Sequence, residues 1–110
     1  MGRFVKGDVV VVPYPFSDLS AVKRRPALVV AELTGDDVIL CQITSGTVAD
    51  AYAIRITRSD FASGKLRQDS NVRPNRLFTA DSKIILYRAG TLKSEKMNEV
   101  TAKIIQIVSA

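Results

Sequence analysis

The 110-residue sequence has no histidine, no tryptophan and a single cysteine, Cys41. Without histidine the usual general base near neutral pH is missing, so any catalysis falls to arginine, lysine, carboxylates and hydroxyls. One cysteine excludes an intramolecular disulfide, and one Cys with no His argues strongly against a zinc site. Cys41 lies inside the apolar run DVILCQI, with no histidine to activate it. It reads as a buried structural thiol rather than a nucleophile, in keeping with a reducing compartment. No signal peptide opens the sequence and no apolar run approaches membrane-spanning length, so a cytoplasmic protein with no membrane association is expected.

Hydrophobic residues make up 46% of the sequence and charged residues 25%. That is the balance of a globular protein, and the length suits a single domain over residues 1–110 with its own core. Sixteen Lys and Arg against eleven Asp and Glu give a net charge of +5. Such an excess favours a polyanionic partner, although a solvated basic surface produces the same balance.

Residues 8–12 are apolar and β-branched and predict a buried strand, ended by Pro13 and Pro15. Residues 27–32 predict a second strand that starts directly after Pro26, and residues 38–44 a third, after the turn at 34–37. The short connection after Glu32 forbids a parallel crossover, so these three form an antiparallel meander. Further along, residues 52–56 are strand-like, 59–64 suggest a short helical turn, and 71–73 with 76–79 suggest strand interrupted by Pro74. Residues 84–87 are another apolar run. Met97, Val100, Ile104 and Ile107 then recur at helical spacing behind Ser94 as N-cap and Glu95 in the first turn. They predict an amphipathic helix from Ser94 to about Val108. The expected fold is mainly β (α+β): a small, twisted antiparallel sheet or barrel closed by a C-terminal helix.

The loop between the first two strands closes with Lys23, Arg24, Arg25 and Pro26, which places the densest basic cluster at the entrance to a rigid sheet. Arginine offers phosphate a planar fork of donors and a permanent charge. By position alone Arg25 reads equally as a phosphate ligand and as a surface arginine shielding a strand edge, while Lys23 and Arg24 suit solvated steering of an anion. Thr44 and Ser45 end the third strand, where hydroxyls commonly satisfy turn backbone. Arg73 and Arg76 bracket Pro74 and make a second basic cluster that could meet the first across a small sheet. Tyr14, Phe16 and Tyr52 are candidates to stack on bases; for Phe16 core packing is the simpler use.

Taken in order, GDVVVVPYPFSDLSAVKRRPALVVAE, CQITS, LRQDSNVRPNRLFTAD and the terminal helix resemble the MazF/PemK family of toxins, over almost the whole chain. The resemblance implies an SH3-like barrel with a C-terminal helix, assembled as a homodimer and held in check by a cognate antitoxin. It also implies a metal-independent endoribonuclease with no cofactor. Such an enzyme cuts single-stranded RNA by attack of the 2′-OH on the adjacent phosphate, leaving a 2′,3′-cyclic phosphate and a 5′-OH. By the same resemblance Arg25 and Thr44 are catalytic and Arg73 matches an arginine used in one branch of the family; with the residue reading above, Lys23, Arg24, Ser45, Arg73, Asn75, Arg76 and Tyr14 are the expected RNA-binding residues. One branch of the family carries an acidic base two positions after the arginine matched by Arg73, and a loop histidine; this chain has Asn75 and no histidine. Its chemistry is therefore expected to lean on Arg25 and Thr44, with Asp18 a loop aspartate better suited to capping a turn. Two other classes stay in view. A gyrase-poisoning toxin of the same fold is disfavoured because the chain lacks a Trp-Gly-Ile ending, and a non-catalytic RNA-binding module is favoured by Asn75 and the missing histidine.

Overall fold

The computed structural model describes residues 3–14, 23–46 and 49–110. Seven strands and one helix follow in order: β1 (Asp8–Tyr14), β2 (Lys23–Glu32), β3 (Asp37–Ser45), β4 (Ile54–Ile56), β5 (Phe61–Gly64), β6 (Ser70–Asp81), β7 (Tyr87–Leu92) and α1 (Ser94–Ser109). They make a single sheet in the order β4-β6-β3-β2-β1-β7-β5, antiparallel at every pairing. The expected meander is its centre.

The apolar runs of β1, β2 and β3 are nearly continuous because both faces of these strands are covered. Val9 pairs with Leu28 and Leu28 with Cys41, and this row lies in one core cluster with Ile43, Val72, Met97 and Val100. Alternate residues Val10, Val12, Ala27, Val29 and Leu40 form a second cluster on the other face, closed by Ile85. Each fully buried Val or Leu contributes roughly 1.5–3 kcal/mol.

The sheet must curl. β4 and β5 are its two edges, yet Ile56 and Phe61 are joined only by residues 57–60. Seven flat strands would hold those edges roughly 29 Å apart, whereas the connecting chain reaches roughly 18 Å at full extension. The near-equal extents of 32 × 31 × 30 Å agree with a sheet rolled into a half-barrel. Helix α1 packs Met97 and Val100 into the first cluster, as the helical spacing predicts. Ile104 and Ile107 are half-buried, while Ile105 and Val108 stay exposed. Among the described residues no helix is long and apolar enough to cross a membrane.

Several boundaries differ from the sequence expectation. β2 begins at Lys23, so Pro26 is inside the strand; it pairs with Val11, while pairing to β3 starts only at Ala27, where a second neighbour first appears. Pro74 does not interrupt β6. The register jumps from Ile43↔Val72 to Cys41↔Leu77, so the stretch from Arg73 to Arg76 bulges out opposite Gln42 and no ladder needs a proline N–H. The helical turn shrinks to a 3-10 turn, Arg58–Asp60, closed by Asp60 Oδ2 on the Thr57 amide at 2.7 Å, after which Phe61–Gly64 is strand. The apolar run at 84–87 is split between a 3-10 turn, Ser82–Ile84, and the start of β7. Lys93 rather than Ser94 is the N-cap of α1, with no side-chain cap; its amide donates to Asp60 O at 2.9 Å instead.

Gly7 and Asp8 tie the sheet together at the start of β1. Gly7 sits at φ +101 and bonds Val29 O through its N–H and the Leu92 N–H through its carbonyl. The buried Asp8 carboxylate accepts the Val5 amide at 2.9 Å and the Thr91 hydroxyl at 3.0 Å, and pairs with Arg88 Nε at 3.1 Å. Replacing this carboxylate leaves a part-buried hydroxyl, a backbone donor and the Arg88 guanidinium without their partner. Asp8→Ala is expected to lower unfolding free energy by about 2–3 kcal/mol in urea denaturation, and a loss below about 1 kcal/mol would show the network to be dispensable.

Candidate functional site

At the rim of the half-barrel, β2 overhangs its pairing with β3. Lys23, Arg24 and Arg25 face Tyr14, Pro13 and Val12 of β1, and all three cations are exposed. Arg24, Arg25 and Pro26 line a groove of about 650 Å³. Its other walls come from Ile43 and Ser45 of β3, Ser70 of β6, the segment Lys65 to Gln68, and Tyr87 to Ala89 of β7. The structure therefore gathers the first basic cluster and the Ser45 hydroxyl into one concave site.

The charges are sorted. Among the described residues, six Lys and Arg side chains lie within 4.0 Å of a carboxylate: Arg3, Arg55, Arg73, Lys83, Arg88 and Lys96. Of the groove's cations only Arg88 is among them; it is held by Asp8, lies over the Phe4 ring at 5.4 Å and donates to Arg3 O. Arg24, Arg25, Lys65 and Arg67 have no carboxylate partner among the described residues, so their charge is available to a ligand. Sequence reasoning missed Lys65, Arg67, Gln68 and Tyr87. The only signal was the KLRQ run itself, some forty residues from Arg25 along the chain.

The second expected cluster is elsewhere. Arg73 does not line the groove; its Nε and Nη2 reach Asp50 Oδ2 at 3.0 and 2.9 Å, with the two side chains only 18% and 6% exposed. The bulge around Pro74 is where Arg73 leaves the β3–β6 ladder, and its partner comes from the segment before β4. Asn75 helps favour the ionised form of the same carboxylate, and Arg76 is exposed outside the groove. The continuous cationic surface expected between Arg25 and Arg73 is thus replaced by one between Arg25 and the 65–67 segment. Tyr52 is 46% exposed and also outside the groove. Tyr14 ends β1, with its side chain outside the described residues, as are Phe16 and Asp18.

Thr44 lies level with Arg25: the last β2–β3 pair is Ala27↔Gln42, and each residue is two positions beyond it. Thr44 itself pairs with Asn71 of β6. Its Oγ1 is sealed from solvent and has no hydrogen-bond partner among the described residues, and Ser45, not Thr44, lines the groove. Asn71, buried beside it, donates from Nδ2 to Gly46 O and holds the start of the following loop.

Cys41 is fully buried and donates from Sγ to Arg73 O at 2.9 Å; burial pushes its pKa up to about 12, which leaves no thiolate at neutral pH. Among the described residues no group of three or more His, Cys, Asp or Glu is arranged to hold a metal.

The Tyr52 amide at 2.9 Å, with Arg73 and Asn75 behind it, holds the Asp50 carboxyl below its ordinary pKa of 3.8. A depressed pKa adds stability that is present above the unfolded value and lost as pH falls through the folded one. Asp50→Asn is therefore expected to melt below the wild type at pH 7. The gap should close as the pH drops below 3.8, and a gap that persists in acid would contradict the ionic origin.

Known proteins agree with this geometry. Residues 5–108 match the family model of the PemK-like, MazF-like toxin of type II toxin-antitoxin systems. No curated protein matches the chain in sequence. Among solved structures it is similar to a MazE-MazF complex from Deinococcus radiodurans, at TM-score 0.78 and 17% identity over 99% of this chain and 98% of that one. It is similar to MazF from the same organism at TM-score 0.77 and 16% identity, over 100% of both chains. A mycobacterial endoribonuclease in complex with its cognate antitoxin matches at TM-score 0.75 and 15% identity, over 97% of this chain and 96% of that one. At these identities the structures establish a shared fold, and the family model covers all seven strands and nearly all of the helix: the chain belongs to the PemK-like, MazF-like toxin family of type II toxin-antitoxin systems.

Proposed function

We propose that this protein is a metal-independent endoribonuclease that cuts single-stranded RNA in the Arg25 groove, acting as a cytoplasmic toxin neutralised by a cognate antitoxin. The observation that carries the reading is the cluster of cations with no carboxylate partner among the described residues, Arg24, Arg25, Lys65 and Arg67, around a groove that Ser45 also lines. Family membership and the endoribonuclease among its structural relatives support it.

The substrate supplies its own nucleophile. The ribose 2′-hydroxyl attacks the adjacent phosphorus and gives up its proton, the bond from phosphorus to the 5′-oxygen breaks, and the leaving 5′-oxygen takes up a proton, so that the products are a 2′,3′-cyclic phosphate and a 5′-OH with no net change in protons. Negative charge builds on the phosphoryl oxygens in between. Arg25, fixed on a strand rather than a loose tail, meets that charge with paired N–H donors. Arg24 and Lys23 draw the backbone in, and Ser45, Ser70 and Tyr87 are the hydroxyl-bearing residues that line the groove. Thr44 takes the catalytic role given by the resemblance only through a local shift that uncovers its hydroxyl. Arg73, Asn75 and Asp50 hold each other outside the groove, and Asp50 is kept ionised and weakly basic. They brace the loop that follows Ser45 rather than move protons. Dimerisation would use apolar surface such as Leu77, Leu86 and Ile105, each at least 40% exposed.

Purified protein should cut a mixed-sequence RNA at defined positions in EDTA and leave 5′-OH ends, read by end mapping. Arg25→Ala is expected to lose about 100-fold or more in rate with an unchanged circular dichroism spectrum. Cutting by Arg25→Ala at the wild-type rate would remove Arg25 from the mechanism. RNA that is bound but stays intact would instead identify a binding module.

A further inference from the structure

The segment Lys65 to Gln68 has two open sides. One faces the Arg25 groove; the other faces a separate cavity of about 390 Å³, whose walls include Ile56, Thr57, Arg58, Phe61 and Asp69. Lys65 and Arg67 line both, so they form a cationic ridge between two concavities. Arg58, exposed on the 3-10 turn at the far wall, likewise has no carboxylate partner among the described residues. Asp69 is the acidic residue on that wall, and its carboxylate is engaged by Arg55 at 3.6 Å.

The ridge is held from below. Gly64 adopts φ +71 directly against Gly90, where a Cβ would collide with Ala89 O. Lys65 N–H then donates to Ala89 O at 3.3 Å, and at the other end Ser70 Oγ donates to Gln68 O at 3.0 Å. The backbone beneath Lys65 and Arg67 is therefore pinned to β7 and to the start of β6, and the two cations project from a set position.

We infer that the Arg58 cavity is a second phosphate subsite, which binds a nucleotide flanking the one at Arg25 in the same single-stranded RNA. The inference rests on the reading of the Arg25 groove as the RNA site. A ligand charged at regular intervals along its backbone meets cations on both sides of the ridge, whereas an isolated anion would use one cavity. Positive grooves that track a backbone are how proteins hold single strands without reading every base. The outer subsite adds affinity and sets the length of RNA that binds well, while the groove carries the chemistry.

The test measures binding of 2′-O-methyl oligonucleotides, which lack the attacking hydroxyl and so cannot be cut, at two lengths of roughly 4 and 10 nucleotides. Arg58→Ala is expected to weaken the long oligonucleotide more than the short one. It should also lower the slope of log affinity against log salt for the long one by about 0.7, one phosphate contact on a single strand. Arg58→Lys should restore that slope. Lys65→Ala/Arg67→Ala, which touches both cavities, should weaken both lengths, and the long one more. Equal effects of Arg58→Ala at the two lengths, or none at either, would overturn the second subsite; with none, an acidic partner protein becomes the better occupant. Arg25→Ala separates the two levels of the proposal. If it leaves binding at both lengths untouched, the groove itself is not the RNA site and both readings fail. If it weakens both while Arg58→Ala does nothing, only the outer subsite fails.

Discussion

The cross-strand row Val9–Leu28–Cys41 is what the rest of the molecule depends on. It sets the register of the three central strands, and because side chains alternate, a slip of one residue would exchange the two core clusters on opposite faces. With that register in place, β2 runs past the end of its pairing with β3, and Arg24, Arg25 and Pro26 emerge at the rim. The same register puts Thr44 level with Arg25. The location of the candidate site is thus a by-product of core packing, and the cations need no interaction of their own to stand where they do.

Charge in this protein is divided between two jobs. Asp8 binds Arg88 where β1 meets β7, Asp50 binds Arg73 beside the β6 bulge, and Lys96 joins α1 to Asp60 at 3.7 Å. These pairs are partly buried or bridge elements distant in sequence, and they order the structure. Arg24 and Arg25 on β2 and Lys65 and Arg67 have no carboxylate partner among the described residues and line one groove. A net charge of +5 on a chain this size says little by itself; its concentration on one concave wall supplies the functional content. The Gly-Asp-Val element that marks the family resemblance falls on the structural side of this division, because Gly7 and Asp8 are consumed by the junction of β1, β2 and β7.

Strand identity was legible wherever apolar residues ran unbroken, and the helix wherever Met97 and Val100 recurred at helical spacing, because both patterns are local consequences of burial. Less was legible at Pro74, since a proline halts a strand only if its missing N–H faces a ladder, and the bulge removes that demand. Phe61 was read as part of a helical turn because its reason for being extended lies at Leu92, its partner on β7. The candidate site was half legible. Arg25 stood out through the basic cluster beside Pro26, but Arg73 looked equally suited to phosphate until Asp50 was seen to hold it.

A histidine-free, basic, mainly β protein with a buried thiol, a C-terminal amphipathic helix and the family's motifs in order could be read from the residues alone. Those follow from composition and short-range periodicity, which need no knowledge of which strands meet. Three-dimensional contacts were needed to see that Arg73 and Arg88 are held by carboxylates while Arg24, Arg25, Lys65 and Arg67 have none among the described residues, and that Ser45 rather than Thr44 lines the groove together with Lys65 and Arg67. A charge is neutralised by whatever lies within a few ångströms in space, and in a curled sheet whose two edges are joined by four residues, distance along the chain says almost nothing about that.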